Sequence, residues 1–263
     1  MSLNRLLQLA ITMALTLGWL AGSTTVSPAG DWSKIRIGTE GAAAPFNYHD
    51  ASGQLRGFDI DIAQALCDRM GAKCEFIAIQ FDGIILALQN HQIDAIATSM
   101  SITEKRKKVV DFTDRYYTNY RHFLSCEGRL VEDTTPAGLK GRAIGTQGGT
   151  AADDYLEAFY KDADIRTYKT MDDAYQDIAA GRLDAVLSSE AHSYGFMQSA
   201  AGKGCKLVGE RLVNDKLFGS GVGIAVRKTD TDLRDKLNAA LKQILADGTY
   251  EAINKKYFPF SIY

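Results

Sequence analysis

FDGIILALQNHQIDAIATS (81–99) aligns without gaps on MDDAYQDIAAGRLDAVLSS (171–189). Asp82 meets Asp172, Asp94 meets Asp184, Ala95 meets Ala185 and Ser99 meets Ser189. Leu88/Ile178, Ile93/Leu183 and Ile96/Val186 are conservative. Each unit reads as a helix followed by a short apolar strand. Any two such units share patterning, so the identities weigh little alone. Their position gives them weight: Ser99 and Ser189 both close a strand, at the end where parallel α/β sheets bind ligands. The repeat predicts two similar α/β lobes that each present a strand end to a shared cleft.

The same alternation continues on both sides. KIRIGT (34–39) reads as a strand, and GFDIDIAQALCDRM places Phe58, Ile62, Ala65, Leu66 and Met70 at helical spacing before Gly71 stops the helix. KCEFIAI (73–79) is rich in β-formers; a helix over 83–90 and the strand IDAIAT (93–98) follow. The second half repeats the style with GRAIGTQ, a helix from Thr150 to about 161, IRTYK, a helix over 172–180, LDAVLS and a helix over 190–200. Two amphipathic helices, 233–245 and 250–257, end the chain. Strands alternating with helices predict βαβ units and parallel sheets.

The 263 residues are 24% charged with a formal charge of −2, which supplies no basic field for nucleic acid. Residues 1–30 carry a single charge, Arg5, ahead of LLQLAITMALTLGWL, and small polar residues follow. That pattern predicts a secretory signal peptide over 1–29 rather than a membrane span. Ser23 stands where a bacterial lipoprotein needs its lipidated Cys, so the mature chain is expected to be exported, soluble and without a lipid anchor. In an oxidising compartment four cysteines point to disulfides. Cys67 and Cys74 suit a local staple, which leaves Cys126 and Cys205 to each other. No cysteine spacing is C-x-x-C and the four His are scattered, so neither a zinc site nor a cofactor is expected.

The densest site signal is Thr98-Ser99-Met100-Ser101-Ile102-Thr103-Glu104-Lys105-Arg106. Ser101 and Glu104 fit a capping box, which would start a helix directly after a strand. Its N-terminus and the Arg106 guanidinium would then suit a carboxylate. GTQGGT (145–150) precedes another helix, with Thr150 as N-cap or ligand donor. It lacks the Gly-Lys-Ser/Thr of a phosphate loop and the spacing of a dinucleotide fingerprint, as does GSGVG (219–223). There is no G-x-S-x-G elbow. Glu190 and His192 could serve as acid and base, but two residues apart on a helix they point in different directions and read as solvated surface.

With GFDIDIAQALCDRM, SITEKR and GRLDAVL in view, the chain from Lys34 to Tyr263 resembles the periplasmic polar-amino-acid-binding proteins of ABC importers. The similarity is strongest to the lysine/arginine/ornithine, histidine and octopine/nopaline binders. It implies a type II periplasmic binding protein fold, with lobe 1 formed by 30–120 and 222–263, lobe 2 by 121–221, and hinge strands near 120–126 and 217–223. It also implies that Arg106, with main-chain groups of Ser99 and Thr150, grips an α-carboxylate. Ser101 would help hold the amine; Thr98, Thr146 and Gly149 would line the pocket. Phe81 matches an aromatic that stacks on the ligand, and Glu40 the acid that receives a basic side chain. The family's Cys pair matches Cys67 and Cys74, and a related enzyme, cyclohexadienyl dehydratase, has cysteines where Cys126 and Cys205 fall. A monomer that hands its ligand to membrane permease subunits is the implied partner scheme; a secreted dehydratase-like lyase is the alternative.

Two departures stand out. A second stacking Tyr is replaced by Ala43, and the acid that pairs with the α-ammonium is replaced by Ser189. Either Glu190 substitutes for that acid, or the ligand lacks a free primary amine, as an opine does. Losing one charge-assisted hydrogen bond should weaken a simple amino acid about ten- to a hundredfold.

Overall fold

Two five-stranded sheets organise the chain in the computed structural model, which describes residues 31–263. The expected signal peptide and Ser23 lie outside the described residues. The first part of the chain forms β1 (Lys34–Thr39), β2 (Ala42–Ala43), β3 (Asn47–His49), β4 (Leu55–Arg56), α1 (Phe58–Met70), β5 (Lys73–Ala78), α2 (Ile84–Gln89), β6 (Ala95–Ile96), α3 (Glu104–Lys107) and β7 (Asp111–Phe112). The middle forms β8 (Arg121–Cys126), β9 (Ala143–Gln147), α4 (Ala151–Phe159), β10 (Asp164–Tyr168), α5 (Met171–Ala179), β11 (Ala185–Ser189), α6 (Glu190–Met197) and β12 (Cys205–Leu212). The rest forms α7 (Asp215–Phe218), β13 (Ala225–Val226), α8 (Thr231–Ala246) and α9 (Thr249–Tyr257).

The first sheet has the order β5-β1-β6-β13-β7 and the second β10-β9-β11-β8-β12. Parallel pairing holds the β5-β1-β6 and β10-β9-β11 triplets, as βαβ units require. The sheets are mixed rather than purely parallel, because β13 and β8, each the first strand after a passage between sheets, run antiparallel to their neighbours. The chain passes from the first sheet to the second between Phe112 and Arg121, and back between Leu212 and Ala225. Strands were expected at both passages. The second instead holds α7, capped by the Asn214 side chain, and its only β character within 217–223 is Val222 bridging to Ser101 and Tyr117.

Other expected boundaries move by a turn or less. Helix 83–90 begins as a 3₁₀ turn at Phe81–Gly83. The 93–98 strand is regular only over Ala95–Ile96, flanked by bonds from the Asp94 and Ala97 N–H groups to Arg36 and Gly38 of β1, and Ser99 follows in a left-handed backbone (φ 54°). Gly71 ends α1 in the left-handed conformation, as its position predicted.

Burial explains why the sheets hold. Ile35 and Ile37 of β1 pack with Phe58, Ile62 and Leu66 of α1 and with Leu233, Leu237, Leu241 and Ile244 of α8. The opposite face is closed by Ile84, Leu88 and Ile93. In the second sheet Ala185 and Leu187 face one cluster and Val186 the other, the alternation of a strand buried on both sides. Each such Leu or Ile contributes about 1.5–3 kcal/mol on burial. Disulfides join Cys67 to Cys74, between α1 and β5, and Cys126 to Cys205, directly opposite on β8 and β12.

Candidate ligand-binding site

A cavity lies between the sheets, where β1 and β6 end on one side and β9 and β11 end on the other. Nine expected residues line it: Glu40, Phe81, Thr98, Ser99, Ser101, Arg106, Thr146, Thr150 and Ser189. The tenth, Gly149, sits behind them and offers its carbonyl to Arg106 Nη2 at 3.3 Å. Ala43, Asn119, Arg121, Gln147 and His192 also line it.

Among the described residues Arg106 is one of the two arginines that line the cavity, and its setting corrects the expected capping box. The cap is Thr103, whose hydroxyl accepts the Arg106 N–H at 3.3 Å. Glu104 turns to Lys107 on the surface, and the Ser101 hydroxyl accepts from Arg121 Nη2 at 3.0 Å. The resulting helix is a single turn of four residues, too short for a useful macrodipole. What remains is the guanidinium itself. It donates from Nη1 to the Ser101 carbonyl at 3.0 Å and lies 5.3 Å from the centroid of the Phe81 ring. Burial and the neighbouring Arg121 charge push its pKa down to about 10, so it stays protonated. Among the described residues no carboxylate pairs with Arg106 or Arg121.

The hydroxyls mostly hold backbone. Thr98 Oγ1 accepts the Glu40 N–H, Thr146 Oγ1 donates to the Leu187 carbonyl, and Thr150 Oγ1 donates to the Gln147 carbonyl while capping α4. The Ser99 hydroxyl donates to Asp59 Oδ2 at 2.9 Å. Asp59 also accepts from Asn47 and Tyr116; burial raises its pKa to about 6 against those bonds. These residues shape the cavity by fixing its loops.

Glu40, also part of the cavity lining, is only 7% exposed and accepts from Gln147 Nε2. Burial pushes its pKa up to about 8; the Gln147 bond lowers it, and the charges of Asp172, Asp82 and Asp173 raise it further. An entering cation would favour its ionised form.

Around Ser189 the structure separates two residues that the sequence left together. Ser189 caps α6, accepting the His192 N–H at 3.1 Å. Glu190 does not substitute for the missing acid: it takes Arg211 through Nε and Nη2, both at 2.7 Å, and His122 Nδ1 at 3.0 Å, outside the cavity. His192 is not surface-solvated. Its ring packs 4.6 Å from Phe46, and burial together with the Arg121 charge drives its pKa down to about 3, so it is neutral.

Sequence reasoning missed Arg121, Asn119 and Gln147, and it read His192 as solvated surface. A signal for Gln147 was present: Ile37-Gly38-Thr39-Glu40-Gly41 matches Ile144-Gly145-Thr146-Gln147-Gly148, so Glu40 and Gln147 occupy equivalent strand ends. Arg121 carried none, since its partners lie 2 and 20 residues away in a passage without periodicity.

A family model described as bacterial extracellular solute-binding proteins, family 3, matches residues 35–260. The chain is 44% identical to an L-arginine-binding protein of Pseudomonas aeruginosa over 232 residues, 87% of this chain and 89% of that one. It is 39% identical to a histidine-binding periplasmic protein of Salmonella typhimurium over 259 residues, covering 97% and 98%. Among solved structures, a Salmonella typhimurium periplasmic binding protein described as having high arginine specificity superposes with a TM-score of 0.79 at 30% identity, covering 86% of this chain and 99% of that one. With two α/β lobes around a polar cavity and a family match across nearly all described residues, this chain belongs to the bacterial extracellular solute-binding proteins of family 3.

Proposed function

We propose that this protein is the substrate-binding component of an ABC importer. It captures a polar or basic amino acid, or a derivative of one, between its lobes and delivers it to permease subunits in the inner membrane. The observation that carries this reading is that one cavity is lined by buried Arg106, without a carboxylate partner among the described residues, and by buried Glu40. Arg106 takes the α-carboxylate, with the main chain at Ser99 and Thr150 beside it, and Glu40 takes the basic end. Ser101, Thr98 and Thr146 set the walls, Gly149 supports Arg106 through its carbonyl, and Phe81 supplies the apolar face. The lobes divide at 120/121 and 221/222, and the mature chain acts as a periplasmic monomer without cofactor. The names of the relatives, binders of arginine and histidine, favour a basic amino acid.

Ser189 and Ala43 favour a substituted, bulkier ligand of the opine type, because Glu190 is spent on Arg211 and His122 and, among the described residues, Glu40 is the one acid that lines the cavity. The same outward-turned Glu190 weighs against the lyase alternative. Turnover of prephenate or arogenate that disappears in Glu190→Gln would reverse that judgement.

A thermal-shift panel of amino acids and opines tests the reading. A ligand at 100 times its Kd adds about 2.7 kcal/mol of stability. Arg106→Ala is expected to abolish the shift from the best ligand; a full shift in that variant would discard the carboxylate anchor.

A further inference from the structure

The cavity holds more positive charge than one carboxylate requires. Arg121 enters it from the first residue of β8 and is 6% exposed. Its guanidinium donates to the Asn119 carbonyl at 3.3 Å and to the Ser101 hydroxyl at 3.0 Å, and lies 5.7 Å from the centroid of the Phe218 ring. All three partners are neutral. Arg106 donates to the carbonyl of the same Ser101, so two buried guanidiniums flank one residue and repel each other. Burying a charge without a counter-charge is costly, and the penalty is relieved when a fixed opposite charge arrives. Two more polar atoms of the cavity lining, Asn119 Oδ1 and His192 Nε2, are buried without a partner among the described residues.

We infer that Arg121 is a specificity-determining residue that receives a second carboxylate of the ligand, so that the protein selects N-carboxyalkyl amino acids over the parent amino acids. This deepens the amino-acid reading above and rests on it. A planar guanidinium binds a carboxylate through two parallel hydrogen bonds, and Arg121 has donors beyond the two it has placed. The geometry assigns partners to three of the ligand's four charges: one carboxylate at Arg106, a second at Arg121, and a cationic end at Glu40, with the secondary ammonium left to a neutral acceptor. Glu40 is the one acid of the lining among the described residues and is assigned to the cationic end, so Asn119 Oδ1 is the acceptor suited to an N–H of the secondary ammonium.

Calorimetric titration with arginine, N2-(1-carboxyethyl)-arginine and N2-ethyl-arginine tests the assignment, because the last two differ only in the second carboxylate. The wild-type chain is expected to prefer the carboxylated ligand about 10- to 100-fold. Arg121→Gln should bring that ratio close to one. Arg121→Lys, which keeps the charge but not the fork, should reduce it severalfold and guards against a poorly folded Gln variant. A residue that merely braces Ser101 would weaken all three ligands together and leave the ratio unchanged. A wild-type ratio near one, or an undiminished ratio in both variants, overturns the proposal while arginine binding preserves the amino-acid reading. If the wild-type chain binds none of the three, both fall.

Discussion

The two halves of the cleft are built on one frame and finished differently. In the first, Gly38 of β1 faces Ile96 of β6; in the second, Gly145 of β9 faces Val186 of β11. A Cβ at either glycine would stand 2.4 Å from a branched side chain, Ile93 Cδ1 or Leu183 Cδ1. Asp94 accepts the Arg36 N–H at 3.0 Å, and Asp184 accepts the Ala143 N–H at 2.8 Å, each two residues before the glycine. His91 and Gly181 make the same left-handed turn (φ 56° and 70°). At the tips the halves part. Glu40 faces Gln147, and Ser99 is left-handed and tied to Asp59, whereas Ser189 is extended and caps α6. The frame repeats where it carries the sheet, and the chemistry resides where it does not repeat.

The equivalence is broken most strongly at the two aspartates. Asp94 partners Arg227, which is only 8% exposed, besides Arg36. Asp94→Ala strips a buried guanidinium of one of its two acids and should destabilise by about 3–5 kcal/mol in urea unfolding. The arginines of Asp184, Arg129 and Arg142, are half exposed and can return to water. Asp184→Ala should therefore cost about 1–2 kcal/mol, chiefly for the unmet Ala143 N–H. Equal losses would show that the strand cap, not the ion pair, dominates both.

The glycines should behave alike. Gly38→Ala and Gly145→Ala each force a buried neighbour aside, at about 1–3 kcal/mol by the same measurement. A difference above that range between them would mean that one half can relax and the other cannot.

Glu40 and Gln147 sharpen the contrast through pH. A carboxyl raised from an ordinary 4.5 to about 8 makes the folded chain bind more protons than the unfolded chain across that window. Its contribution to stability is thus complete below pH 4.5 and fades as pH rises through 8. Asp59 and Asp172, raised by burial to about 6, have mostly titrated before pH 7. Unfolding of the ligand-free protein should then lose about 1 kcal/mol between pH 7 and 8, and Glu40→Gln should flatten that step. The smallest effect belongs to Lys105–Asp154, an exposed ion pair of 2.8 Å between α3 and α4. Lys105→Ala should change stability by less than about 0.5 kcal/mol, a change that salt should remove.

Much of the frame was legible because its signals are local. Helical spacing of Phe58, Ile62 and Leu66, the stop at Gly71, and the 81–99/171–189 repeat are patterns of neighbours in sequence. Arg106 was legible from its place just after a strand end. The capping box misled because Ser101 and Thr103 both precede an acceptable helix start, and a contact with Arg121, 20 residues on, claims Ser101. For Glu190 and His192 the spacing argument was right about direction, since one turns outward and the other inward, but spacing cannot say which side of a helix is wet. Asn119 lies in the passage between sheets and Arg121 at its junction with β8, where position comes from tertiary contact and leaves no period to read.

If Glu40 receives the basic end of the ligand, as proposed, its bond from Gln147 is an internal competitor for that ligand. The amide occupies an oxygen that a cationic ligand would seek, so binding is an exchange of partners rather than the filling of a vacant acid. A net hydrogen bond is worth about 1 kcal/mol, or roughly a fivefold change in a binding constant. Any group too weakly charged to outbid an amide gains little at this end. On the proposed binding mode, the pair would set a threshold that disfavours neutral side chains.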